Sequence, residues 1–298
     1  TCHPKFGGTF KDSYHGQATT VGSKASAKCE DCHTPHDIRR TSDPRSSVSA
    51  ANRLTTCRKC HTEASGRFAG YLPHANPKDR ASNPMLFWVW AFMNSVLFGT
   101  MLVWGAHAVI WFSRNWQERR KKLAEAHAHG VRVPMDSALR GGPPYVWRFN
   151  VVFRIVHALI VLTFFMLVTT GLPLRFSCAV WAPGLMGVLG GAENAGLIHR
   201  AMGVIFFGYF FLYVFYMTGR LIRAPRKMDL LYGPNSILPS LQDLYDVKAM
   251  MLYFFKKGPH PRFGRFSYME KFDYFAEGWG VFAIGFSGLM LWQPEFFG

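Results

Sequence analysis

Two cysteine pairs, each followed at once by a histidine, carry the clearest chemistry in this sequence: Cys29-Glu30-Asp31-Cys32-His33 and Cys57-Arg58-Lys59-Cys60-His61. C-x-x-C-H is the attachment signature of c-type haem. Two thiols three positions apart can both form thioethers to the vinyl groups of one porphyrin, and the adjacent imidazole is then held beneath its iron. Thr1-Cys2-His3 reads as the end of a third copy whose first cysteine lies upstream, so Cys2 and His3 take the same roles and the chain is expected to be a fragment. Three haem c groups are expected, and electron transfer is the leading function. A four-cysteine zinc site is the alternative. It needs neither the histidine after each pair nor a third Cys-His ending. Disulfides are disfavoured because five of the six cysteines fall in these motifs, and Cys178, in an apolar stretch, reads as a buried thiol.

A transfer haem usually takes a second axial ligand. Residues 1–84 offer His15, His36 and His74 outside the motifs and no methionine, so bis-histidine ligation is expected. His36 follows His33 too closely to serve the same iron and is expected to reach a neighbouring haem. Which spare histidine serves which motif is open at this stage. The stretch keeps no long helical or strand period and has few aliphatic residues, so haems would form the core of a small, loop-rich N-terminal domain. Its 13 Lys+Arg against 7 Asp+Glu suit haem propionates, and no aromatic-basic motif points to nucleic acid.

At Pro84 the composition changes. Met85 to Phe112 contains no Asp, Glu, Lys or Arg, more than the roughly 20 apolar residues that span a bilayer. Ile155 to Leu174 and Ala201 to Gly219 are further uncharged runs, and Gly278 to Trp292 becomes a fourth when extended back to Phe272 with Asp273 and Glu277 near its start. The expected fold is therefore mainly α: the haem-packed domain plus a transmembrane helical bundle with four spans. Mean hydropathy of +0.03 averages these two solvents. The segments Ser113 to Arg154 and Arg220 to Lys271 hold nine and ten Lys+Arg, whereas Arg175 to Arg200 holds two. The positive-inside rule puts the first two in the cytoplasm and the haem domain on the periplasmic face of a bacterial inner membrane. That is the side on which c-type haem is attached. A chain that begins inside a motif would have lost any leader.

Ionisable groups within hydrocarbon are usually functional. His157 lies 17 residues before Leu174, about 25 Å along a helix, while His199 opens the next span from the other side. Ligands at such different depths belong to two stacked haems. Gly171, Gly203 and Gly208 would let a macrocycle approach the backbone, and Arg154 and Arg200 are candidate propionate partners. The alternative is interfacial histidines, snorkelling arginines and glycines used for helix packing.

Arg154-Ile155-Val156-His157, Thr170-Gly171-Leu172-Pro173, His199-Arg200-Ala201-Met202-Gly203 and Lys271-Phe272-Asp273-Tyr274, opening a helix that ends Ser287-Gly288-Leu289-Met290-Leu291-Trp292, occur in that order. They resemble the di-haem cytochrome b subunits of respiratory formate dehydrogenases and nickel-iron hydrogenases over about residues 147 to 298. With the N-terminal motifs, the arrangement looks like the inner-membrane multihaem c/b-type quinone oxidoreductases of anaerobic, including metal-respiring, bacteria. The resemblance implies up to two b-type haems, with His157 and His199 on separate ones. It also implies opposite ligands from a later helix, expected beyond Gly298 unless another helix substitutes. His107 completes the inner haem, contacts a quinone, or sits at the interface. The domain reading is 1–83 periplasmic cytochrome c domain, 84–113 transmembrane linker helix, 114–146 cytoplasmic basic loop and 147–298 cytochrome b-type membrane domain.

The resemblance further implies quinone chemistry near the cytoplasmic haem, with menaquinone the expectation from anaerobic relatives. Quinol oxidation releases protons with electrons, so His107, Lys271, Asp273 and Glu277 are candidate site residues. A solvated helix start is the plainer account of the last three. The expected function is electron transfer between the quinone pool and periplasmic c-type haems, by a quinone-linked oxidoreductase or a subunit of one. Expected partners are periplasmic cytochrome or oxidoreductase subunits in a larger complex. The alternative is a non-catalytic haem-bearing anchor that wires a partner enzyme and has no quinone site.

Overall fold

The computed structural model describes residues 4–128, 149–233 and 236–297. Among these the regular structure is helical, without strands, as the uncharged runs predict. In chain order the helices are α1 (Pro4–Asp12), α2 (Tyr14–Thr20), α3 (Cys29–Cys32), α4 (Arg53–Arg58), α5 (Pro84–Ala128), α6 (Val151–Arg175), α7 (Ala182–Val188), α8 (Ala192–Arg223), α9 (Lys227–Tyr232), α10 (Leu241–Phe254), α11 (Tyr268–Trp292) and α12 (Pro294–Phe297), with a 3₁₀ turn at Phe68–Gly70. Four of them, α5, α6, α8 and α11, are long and apolar enough to cross a membrane. Their outward faces carry large apolar side chains such as Phe98, Leu102, Leu162, Phe215 and Ile284, a surface suited to lipid rather than water.

Two helices outrun their apolar stretches. α5 continues past Phe112 to Ala128, because Arg119 to Glu125 are good helix formers and Arg114 to Glu118 and Lys121 to Glu125 are each 3.9 Å ion pairs four residues apart. α11 begins at Tyr268 despite Glu270, Lys271, Asp273 and Glu277 in its opening turns. Lys271 is neutralised there by Asp243, 2.9 Å away.

The chain divides into two compact units. The first contains Thr1–Asn76, Phe153–Thr218 and Gly278–Gly298. Within it α6 and α8 run antiparallel, because Thr163 bonds Tyr209 at 2.7 Å while Thr170 bonds His199 at 2.8 Å. Phe210 packs edge-on against Phe282, and Phe207 lies where a Cβ on Gly285 would sit, so the glycine admits the ring against α11. The N-terminal segment docks on the α6 to α8 connection: Val21 packs with Ala182, Met186 and Ala195, and Ser23 donates to Glu193 at 2.7 Å. Cys178 lies in this connection and is exposed, correcting the expected buried thiol. It stands beyond the end of α6, outside any span.

The second unit, Pro77–Val152 with Gly219–Glu277, has its core where α10 meets α5 and the start of α11. Met250, Tyr253 and Tyr268 are buried there against Trp104, Phe254, Phe263 and Met269. Arg114 stacks over the Tyr253 ring, whose hydroxyl donates to Glu118 at 2.8 Å.

Candidate functional site

The two complete motifs fold alike. In each, the histidine N–H returns to the carbonyl of the first cysteine, His33 to Cys29 at 2.8 Å and His61 to Cys57 at 2.9 Å. One helical turn thus puts both thiols on one side with the imidazole at its exit. Cys29 and Cys60 are exposed, Cys32 and Cys57 half-buried. Burial pushes the Cys32 thiol up, and the nearby Cys57 adds to the shift. The motifs are tied together through Ser47, which donates to the Cys32 carbonyl at 2.6 Å while its own carbonyl accepts from Thr56 at 2.7 Å. Cys2 and His3 lie outside the described residues.

Long-range packing pairs four of the histidines. The rings of His15 and His61 are 6.2 Å apart between centres, and those of His33 and His74 are 6.3 Å apart. Two imidazoles that bind one metal from opposite sides each place a nitrogen about 2 Å from it, which puts their centres about 6 Å apart. The tilts of 49° and 37° suit this, because each ring can turn about its own metal–nitrogen axis. The residues therefore fit a haem at each motif. Burial, with the facing His61, holds His15 below its ordinary pKa, and burial with the facing His33 does the same for His74. Neutral imidazole is the form that ligates. Thr9 Oγ1 lies 3.1 Å from His74 Nδ1, and Glu295 Oε1 lies 2.9 Å from His61 Nδ1, so both rings keep Nε2 for a metal. That hydrogen bond from His61 is the main influence holding the Glu295 carboxyl below its usual range. His36, exposed and at φ 65°, joins neither pair.

In α6 and α8 the Thr170 bond fixes His199 through Nδ1, and its ring lies against Gly171, 3.5 Å from where a Cβ would be. That glycine accommodates the imidazole itself. Gly203 and Gly208 present bare helix surface, a cradle suited to a flat macrocycle. His199 is level with Thr170, thirteen residues beyond His157, so the two histidines differ in position by about 20 Å along the helix. No single iron spans that. The N-terminal segment docks at the His199 end of these helices, through Val21 and Ser23. Arg200 stacks over Trp292, 5.9 Å from its ring centre, and Arg154 is exposed in the first turn of α6.

In the second unit His107 is buried and its Nε2 lies 2.6 Å from the Tyr268 hydroxyl. Trp104 and Phe254 pack edge-on against the imidazole, and Phe272 against Trp104. Lys271 donates to Asp243 Oδ2 at 3.1 Å and forms an ion pair with Oδ1 at 2.9 Å. Asp273 is exposed and Glu277 half-buried. Glu295, Tyr268 and Asp243 carry no functional signal in the sequence, and Thr170 stands out there only as part of a motif. Each bonds a candidate residue from far along the chain, and only the motif around Thr170 was a usable signal.

No curated protein and no solved structure matches the chain. A family model, prokaryotic cytochrome b561, matches residues 148–298, just over half of the 298 residues and the stretch that holds α6, α8 and α11. The depth-separated histidines on α6 and α8 lie within that match, and the chain belongs to the prokaryotic cytochrome b561 family, as an integral membrane protein that transfers electrons through b-type haem.

Proposed function

We propose that the protein carries electrons between the quinone pool and c-type haems outside the membrane by way of two b-type haems. The observation that carries this reading is the pair of imidazole couples at 6.2 and 6.3 Å, each joining one motif histidine to one distal histidine. His33 with His74 serves the haem on Cys29 and Cys32; His61 with His15 serves the haem on Cys57 and Cys60. Cys2 and His3 belong to a third, for which His36 supplies the opposite ligand. His157 binds the inner b-type haem and His199 the outer, with Arg154 and Arg200 near their propionates. Haem at these places supplies reversible one-electron chemistry, and the chain sets ligation and burial.

On this reading residues 1–83 form the periplasmic domain, 84–113 a linker span, 114–146 a cytoplasmic connection and 147–298 the b-type domain of an inner-membrane protein. For the quinone, of which menaquinone is the expected kind, His107 is the best placed of the four candidates. Its imidazole and the Tyr268 hydroxyl can exchange a proton inside an aromatic surround, whereas Lys271 is committed to Asp243. Asp273 and Glu277 are left as helix-start charges. Partners are expected among periplasmic cytochromes or oxidoreductase subunits of a larger complex.

Pyridine haemochrome analysis of the purified protein counts b and c haems separately and should find both. Menaquinol analogues should reduce all of them in wild type. In His107→Leu the quinol-driven rate should fall by about 100-fold while dithionite still reduces every haem. Absence of covalent haem overturns the c-type assignment. Failure of quinol to reduce the wild-type protein overturns the quinone assignment in favour of a passive anchor.

A further inference from the structure

The bond between His61 and Glu295 joins residues 234 positions apart and belongs to none of the assignments above. Glu295 is carried by the short helix α12, directly after α11. Phe297 of α12 packs edge-on against Phe286 of α11, with ring centres 6.2 Å apart, and α12 touches the 3₁₀ turn Phe68–Gly70. Phe68 of that turn lies 4.9 Å from the His61 ring. Glu295 and the His61 ring are both about one-third exposed or less, at 27% and 31%, so the carboxylate is partly withdrawn from water. The imidazole is thus gripped by an aromatic ring and by one carboxylate delivered from the end of a membrane helix.

We propose that Glu295 is a positioning residue for the haem held by Cys57, Cys60 and His61, lowering that haem's potential through the axial imidazole. The proposal rests on the c-type haem reading of this motif. A carboxylate that accepts from the second nitrogen of a metal-bound imidazole fixes its tautomer and orientation and raises its basicity. A more basic axial ligand favours ferric over ferrous iron. One electron converts ferric to ferrous iron, and the Nδ1 proton stays in the His61–Glu295 bond in both states, so nothing else is gained or released. In the other couple, the His74 ring meets the Thr9 hydroxyl, 3.1 Å from Nδ1, and the Phe6 backbone, both neutral partners that give a weaker push than a carboxylate. The chain thereby sets its two complete c-type sites apart, with the lower potential at the motif that contacts α12.

Spectroelectrochemical titration of the full-length holoprotein tests this with Glu295→Gln, which keeps size and one acceptor but removes charge, and with Glu295→Asp, which restores charge. The thioethers retain the haem in each variant, so the readout survives weakened ligation. Glu295→Gln should raise the potential of one c-type haem, giving about a tenfold higher ferrous-to-ferric ratio at fixed ambient potential, equal to about 59 mV for one electron. One low-spin ferric EPR signal should shift with it, the other haems should be unmoved, and Glu295→Asp should return both readouts toward wild type. Unchanged potentials and EPR in Glu295→Gln, with full haem content, overturn the proposal. So does an equal shift of every haem. Failure of the underlying reading looks different: mass spectrometry of the wild type would then find no haem on the Cys57–Cys60 peptide.

Discussion

The histidines of the N-terminal segment differ in what holds them, and on the proposed haem c reading that difference would set the two sites apart. His74 is anchored by Thr9 at Nδ1 and flanked edge-on by Phe6, 5.5 Å away, so its ring is fixed before any iron arrives. His15 faces His61 from α2, with its carbonyl accepting from both Thr19 and Ser26 at 2.8 and 2.9 Å. Exchange of a distal imidazole for a thioether raises haem potential because methionine is the weaker donor to ferric iron. His74→Met is therefore expected to raise one c-type potential and leave the haem facing His15 alone, and His15→Met should do the converse. Redox titration followed in the α band checks both. If the two variants move the same haem, the pairing is wrong. If neither moves any, the two histidines are not distal ligands.

Short elements place those residues, and their joints tolerate little change. α1 and α2 meet so closely that a Cβ on Gly16 would strike the Phe10 carbonyl and the Lys11 backbone, which cannot rotate away. Gly16→Ala should cost about 1–3 kcal/mol of overpacking and displace His15, its neighbour. The expected signs are a lower melting temperature and loss of the low-spin signature from one c-type haem, and a normal EPR spectrum would remove Gly16 from that role. At α10, Asp243 accepts from Ser240 N–H and Oγ–H at 2.6 and 3.0 Å as well as from Lys271. Burial opposes its charge, but Lys271 and Ser240 outweigh it and hold the carboxyl below the ordinary value. The folded value lies below the unfolded one, so the stabilisation is present above an ordinary carboxylate pKa of about 3.9 and disappears as pH falls through the lowered value. Thermal melts of wild type and Asp243→Asn should differ near neutrality and converge on acidification. The existence of four spans was legible because uncharged runs are a one-dimensional signal. The Asp243–Lys271 bond was not, which is why the fourth span looked too short: its helix starts inside a charged stretch whose neutralising partner is 28 residues upstream.

The proposed electron path rests on two histidines at different levels of a helix pair. Sequence spacing alone already put His157 and His199 at different depths, and the Thr170–His199 bond supplies the register that makes the separation about 20 Å. The sequence did not reveal where the C-x-x-C-H segment docks. That depends on contacts such as Val21 with Met186, Ser23 with Glu193 and His61 with Glu295, none of which has a local pattern. All three lie at the His199 end of α6 and α8. An electron leaving the membrane for the c-type sites should accordingly pass the His199 site last. His199→Ala should remove one b-type haem and block quinol-driven reduction of the c-type haems, while the remaining b-type haem still accepts electrons from quinol. His157→Ala should remove the other b-type haem and stop entry from the pool, leaving every other haem reducible by dithionite. Stopped-flow spectra that resolve the b and c α bands separate these outcomes. Retention of two b-type haems with normal c-type reduction in either variant would sink the order of transfer. A wild type with a single b-type haem, lost from both variants, would mean that the two histidines share one iron, which a 20 Å offset along α6 forbids if the register of Thr170 against His199 is right.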